Sequence, residues 1–342
     1  MSTSSSRTKL LAIGLAVAAI VLLAVSATAM AGSATPIPKP SLVFAEHTSG
    51  VNGVALAPDG RTAVSASSDK TIRFWDMVSG TRSGIIRHTD PLNAVAISPD
   101  GRTLAVADRS PAVILFDFAT RQELKRMPKP DGAVYWMAFS PDGRSLATIG
   151  SHAAEAAVWD VAAGSKRFAL KHKNSYVNNV AFSADGKRAA TAGSDEVVRF
   201  WDLSDGSAIA VGKGHDQDVN FVAFAPDGKS AVTAGQDKTL KVWDPQTGKC
   251  LATLEGHNGP VRWAAFSPDG RSILSLGLND AQFKVWEPGK EQPRAGFQWF
   301  RGAISVPNYN SNLALSADGR KLLIGRNGEA ALFELSPWLL AE

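Results

Sequence analysis

A single cysteine in 342 residues removes one whole class of architecture. Cys250 can form neither an internal disulfide nor, alone, a structural zinc site. It also lies far from the N-terminal segment, which excludes a lipid-anchored N-terminal cysteine. A Gly-rich phosphate loop, spaced Cys/His metal ligands and a c-type haem motif are all missing, so no cofactor is expected. An excess of one charge is missing too, with 36 Lys and Arg against 32 Asp and Glu. Without Arg7 and Lys9 the balance is 34 to 32. A domain so close to neutral carries no electrostatic footprint for nucleic acid, despite a pI near 9.1. Finally, no helix of useful length can be read after Ala31.

A long apolar run occurs once. Residues 1–9 are Ser-rich and basic, Leu10 to Val25 contains only Leu, Ala, Ile, Val and Gly, and small residues follow to Gly32. Ala27-Thr28-Ala29 and Ala29-Met30-Ala31 each fit an A-x-A cleavage pattern, so residues 1–31 read as an export signal. To Val25 the run spans about 24 Å as a helix, short of a membrane core of roughly 30 Å. Extended to Ala31 it reaches about 33 Å, enough for an uncleaved anchor. Either alternative places the remainder outside the cytoplasmic membrane. Cleavage would make the protein periplasmic or extracellular. Without cleavage, residues 10–31 are the only expected membrane contact. Residues 32–40, with Pro36, Pro38 and Pro40, form a stiff extended linker.

What the chain does have is a sevenfold echo. Pro-Asp-Gly or Ala-Asp-Gly recurs with its Asp at Asp59, Asp100, Asp142, Asp185, Asp227, Asp269 and Asp318, in steps of 41, 42, 43, 42, 42 and 49 residues. A period near 40–45 marks one supersecondary unit repeated around a ring or along a stack. In the first copy, Val51 to Leu56 is an apolar run ending at the Asp59-Gly60 turn, a strong hairpin signal. Thr62 to Ser67 reads as a second strand, Thr71 to Asp76 as a third, and Ile85-Ile86 as part of a fourth. The unit is therefore a four-stranded antiparallel meander. Each first strand also carries an alanine in register: Ala55, Ala96, Ala138, Ala181, Ala223, Ala265 and Ala314. Small residues suit an innermost strand, where units crowd around an axis.

These features resemble the WD-repeat family of β-propellers. The third strands end Trp75-Asp76, Phe116-Asp117, Trp159-Asp160, Trp201-Asp202, Trp243-Asp244, Trp286-Glu287 and Phe333-Glu334. Gly-His-like pairs ending in His47, His88, His172, His215 and His257 stand 28 or 29 residues ahead of the aromatic. The resemblance covers about residues 41–335. It implies an all-β, seven-bladed propeller of four-stranded antiparallel blades, a monomer of exported bacterial type, with 336–342 as a C-terminal tail. Residues 41–45 precede His47 as 250–254 precede His257. They are expected to supply a fourth strand to the last copy, closing the ring and removing both free edges.

Three sets of residues look like hydrolase triads: His47, Ser65, Asp69; His172, Thr191, Asp195; His215, Thr233, Asp237. With Trp75, Trp201 and Trp243 they match the family's structural tetrad, in which Asp holds His, His meets the hydroxyl and the hydroxyl meets the indole N–H. A site built three times at a fixed period is expected to be structural. A fourth set has His257, Asp280 and Trp286, with Ser275 one residue out of step. Copy two has Ser110 in place of the Asp and Phe116 for Trp. Copy three keeps Thr148 and Trp159 but has Ala153 for Asp and no His. Copy seven has Asn327 and Phe333. These copies are expected to lose the network together, because a half-satisfied network is worse than none.

The resemblance implies a non-catalytic platform for a protein or peptide partner, bound on the rim and channel mouth. Asn52, Asn93, Tyr135, Asn178, Asn220 and Arg262 occupy one ring position near that rim. They either contact a partner or satisfy backbone groups at strand starts. The 49-residue step adds a stretch containing Trp299, Phe300, Arg301 and Tyr309, either an interface anchor or a harmless insertion. Propellers also host hydrolases and metal-dependent lactonases, so an enzyme with its site in the channel is the alternative.

Overall fold

The computed structural model describes residues 39–108, 112–128, 132–277, 280, 282–298, 313–326 and 328–335. Among them every regular element is a strand, and the strands make seven four-stranded antiparallel sheets, the blades of a propeller. The first strands of blades 1–6 are Val51–Leu56, Leu92–Ile97, Val134–Phe139, Val177–Phe182, Val219–Phe224 and Val261–Phe266; blade 7 starts with Leu313–Leu315. First strands touch from blade to blade, which makes them the innermost layer. The aligned alanines lie in this layer and are buried or half-buried.

The echo has a backbone cause. In each Asp-Gly turn the glycine sits at positive φ: Gly60, Gly101, Gly143, Gly186, Gly228, Gly270 and Gly319 all lie between 66° and 71°. Side chains resist that region, so glycine is favoured. The Asp holds the turn from inside; Asp59 Oδ1, for example, accepts N–H bonds from Arg61 and Thr62 at 2.8 and 2.9 Å.

The ring closes as expected. Leu42–Phe44 pairs antiparallel with Ala330–Glu334, in register Leu42↔Leu332, Val43↔Ala331 and Phe44↔Ala330. Phe44 is 1% exposed and stacks on Trp75 of blade 1 with ring centroids 5.0 Å apart. The N-terminal strand therefore completes blade 7 and also packs on blade 1. Core side chains fill the wedges between blades, where Trp75, Trp243 and Trp286 are almost wholly buried. Each such indole removes roughly 150–250 Å² from water, worth about 4–6 kcal/mol at 25 cal/mol per Å².

Candidate functional site

The His–hydroxyl–Asp sets are parts of the blade walls. In blade 1 the His47 ring bonds Asp69 through Nδ1 at 2.8 Å and Ser65 Oγ through Nε2 at 2.7 Å, while Trp75 Nε1 donates to Ser65 Oγ at 2.8 Å. The same chain runs through His172, Asp195, Thr191 and Trp201 in blade 4, and through His215, Asp237, Thr233 and Trp243 in blade 5. All four tetrad histidine side chains are fully buried. Burial lowers the pKa of His47 and His172, against the opposing pull of their Asp partners. A neutral His47 ring gives the blade 1 chain one direction: Nδ1–H donates to Asp69, the Ser65 hydroxyl donates to Nε2, and the Trp75 indole donates to the hydroxyl. Asp237 is also desolvated, which would raise its pKa, yet the bond from His215 and those from Thr239 pull it down to about 2.

Blade 6 corrects one expectation. Ser275 is in register: its Oγ meets His257 Nε2 and Trp286 Nε1, each at 2.8 Å. The extra residue lies between Gly277 and Asp280, and Asp280 still reaches His257 at 2.9 Å. The expectation that defective copies lose the network together holds for the hydroxyl and indole of two blades and fails for the third. In blade 2 hydroxyl and indole vanish as a pair, replaced by Val106 and Phe116; in blade 7 Ile324 and Phe333 do the same. Blade 3 keeps half, since Trp159 Nε1 donates to Thr148 Oγ1 at 2.9 Å with no histidine present. That network is shortened from its rim end, so the indole keeps its acceptor and nothing forces Thr148 out.

Blade 2 also replaces the missing carboxylate from a different position. Ser110 and Asn327 lie outside the described residues. Asp108 Oδ2 lies 3.3 Å from His88 Nδ1. Asp108 ends its second strand, where blades 4, 5 and 6 have Gly193, Gly235 and Gly277. A Cβ at any of those glycines would collide with the tetrad His and Asp. In blade 2 Asp108 itself stands at that position. Among the described residues, His88, Asp90 and Asp108 form the group able to offer three metal-ligand atoms, all within 4.8 Å.

The ring position has a specific geometry. In blades 1–6 the first strand slips register around its second residue: Asn52, Asn93, Tyr135, Asn178, Asn220 and Arg262. Each is thus the extra residue of a β-bulge, a device that re-aims a side chain. Most of them strap one blade to the next. Asn52 Nδ2 donates to Leu92 O at 2.7 Å, Asn178 Nδ2 to Val219 O at 3.0 Å, Asn220 Nδ2 to Val261 O at 2.9 Å, and Tyr135 Oη to Val177 O at 3.2 Å. Every acceptor is the residue just before the neighbouring blade's bulge. The strapping Asn and Tyr side chains therefore satisfy backbone groups, the second of their two expected roles.

Tyr135, Asn178, Asn220 and Arg262 also share a cavity of about 690 Å³ at the mouth over blades 3–6, within the range of about 300–1,000 Å³ typical of ligand sites. Asn52 and Asn93 do not line it. Trp299, Phe300, Arg301 and Tyr309 lie outside the described residues. Several lining residues have no counterpart in the sequence reading: His152, Tyr176, Glu196, Gln217, Asp218 and Gln236. They come from turns and loops on the bulge-bearing rim. Tyr176 is 49% exposed and meets His152 edge-on, ring centroids 5.1 Å apart. One residue further along the first strands, Trp136, Phe221 and Trp263 form an aromatic cluster, with centroid separations of 5.6 and 6.3 Å. Arg262 is half-buried, and burial lowers its pKa, with Tyr135 opposing weakly.

No curated protein matches the chain. The family model for the WD domain, G-beta repeat (WD40), matches residues 38–76, 80–117, 164–202, 206–244 and 248–287, more than half of the sequence. Each match ends with a third strand, so the sequence repeat begins with the outer strand of one blade and runs through three strands of the next. The unmatched stretches contain most of blades 3 and 7, which have no tetrad histidine. Repeat, tetrad and closed ring agree, and the chain belongs to the WD40-repeat family.

Proposed function

We propose that the protein is a non-catalytic platform that holds a protein or peptide segment at the channel mouth over blades 3–6, on the outer side of the cytoplasmic membrane. WD40 propellers generally mediate protein interactions. The observation that carries the reading is the mouth cavity itself. A rigid ring of bulges presents polar side chains around it, and Tyr176 stands exposed at its edge. An exposed aromatic over a fixed polar frame suits an interface anchor. Catalysis at the His–hydroxyl–Asp sets is disfavoured because their histidines are fully buried and already bonded at both ring nitrogens. Export rests on the basic, apolar and small-residue order of residues 1–31.

Proximity labelling in the native cell tests the platform. Neighbours enriched by the wild type are expected to be lost from a Tyr176→Ala, Gln217→Ala variant of unchanged melting temperature. An identical neighbour set for both proteins would refute the mouth as the site. Fractionation with N-terminal sequencing tests export, and recovery of the chain in the cytosol would refute it.

A further inference from the structure

We infer that the mouth cavity recognises a carboxylate on the bound segment and that Arg262 is its anchor. The inference rests on the mouth being the binding site and adds the chemistry of what enters it. The bulge in the first strand of blade 6 places Arg262 where the equivalent bulges carry Asn178 and Asn220. Those amides donate to the next blade's backbone. Arg262 makes no hydrogen bond or ion pair among the described residues. Other sheltered arginines of the fold are matched: Arg73 reaches Glu46 at 2.7 Å and Arg199 reaches Asp195 at 2.6 Å.

An arginine keeps its charge under any physiological condition. Burial has removed part of its water, as its lowered pKa reflects, and no acid among the described residues bonds it in exchange. Such a group gains most from an incoming anion, which supplies acceptors for a fork of N–H donors. The rim narrows the choice. Glu196 and Asp218 line the same cavity and are exposed. Their charges repel a dianion such as a phosphate monoester more strongly than a single carboxylate, and they favour a cationic or amide neighbour beside it. A carboxylate could come from an Asp or Glu side chain or from a chain terminus.

The test uses the full chain and fluorescent hexapeptide pools read by anisotropy. One capped pool carries a single Glu, matched capped pools carry Gln or phosphoserine, and a further Gln pool has a free C-terminal carboxylate. The Glu pool, the free-terminus pool or both are expected to bind at least tenfold more tightly than capped Gln, and the stronger of the two identifies the source. Arg262→Gln is expected to remove that preference and Arg262→Lys to restore part of it. The melting temperature of Arg262→Gln is expected to stay level or rise, since an unpaired desolvated charge is removed. A purely structural Arg262 would instead lower it. Preference for phosphoserine over Glu, or a Glu preference that survives Arg262→Gln, would overturn the inference. If all pools bind alike and Tyr176→Ala abolishes binding, the anchor is refuted and the mouth reading stands. If no pool binds, both are refuted.

Discussion

Thr233→Val isolates the hydroxyl at the middle of the blade 5 network without changing side-chain size. Thr233 Oγ1 accepts from Trp243 Nε1 at 2.8 Å and is hydrogen-bonded to His215 Nε2, 2.6 Å away. Trp243 and Thr233 have no exposed surface, and the His215 side chain has none either. Valine fills the space but strands two buried partners. At about 1–3 kcal/mol for each unsatisfied group, the expected loss is roughly 2–6 kcal/mol. Blade 3 supplies the control. Thr148 serves the indole of Trp159 and no histidine, so Thr148→Val strands one group and should cost about 1–3 kcal/mol. Urea unfolding followed by tryptophan fluorescence gives both numbers, provided the m-values match the wild type. Equal losses for the two variants, or no loss for Thr233→Val, would refute the network.

Other consequences follow from the same geometry. Because burial lowers the pKa of His47 and His172, unfolded chains gain protons below pH 6.5 that the folded protein resists. Their stabilisation is full above that pH and declines below it by up to about 1.4 kcal/mol per pH unit for each histidine. Asp237, held at about 2, adds a second loss as the pH falls through 3.8 toward that value. Urea midpoints from pH 7.5 to 3 should show both phases, and a flat profile between pH 7 and 5.5 would contradict the neutral rings. Phe44→Ala, which removes the ring stacked on Trp75, should cost about 3–5 kcal/mol by denaturant titration; a loss under 1 kcal/mol would mean the closing strand contributes little. Asn220→Ala leaves the Val261 carbonyl without its side-chain donor and should cost about 1–3 kcal/mol, checked the same way; an unchanged midpoint would refute the strap.

Much of the ring was legible because its physics repeats. Each Asp-Gly turn places a left-handed glycine, and each tetrad uses the same kinds of group at nearly the same spacing. The unrepeated parts were not. Asp108 reaches His88 from a position that is glycine in blades 4, 5 and 6 and Ser67 in blade 1, so its role appears only once the strands are in register. The ring residues Tyr135, Asn178, Asn220 and Arg262 were legible as a set, but the bulge that aims them was not. The cavity also draws on turns from several blades, and neither Tyr176 nor Glu196 marks a site in the linear pattern. The Trp136, Phe221 and Trp263 cluster escaped because blades 1, 2 and 4 carry Gly53, Ala94 and Asn179 at that position.

Site-specific photocrosslinking in the native cell is the most direct measurement of where this ring works. A photoreactive residue at position 176 samples the mouth, one at Asp59 the turns of the opposite face, and one at Val211 an exposed outer strand. The account predicts a discrete protein or peptide adduct at position 176, absent from the other two and suppressed by Arg262→Gln. Adducts at Asp59 or Val211 with none at position 176 would contradict it.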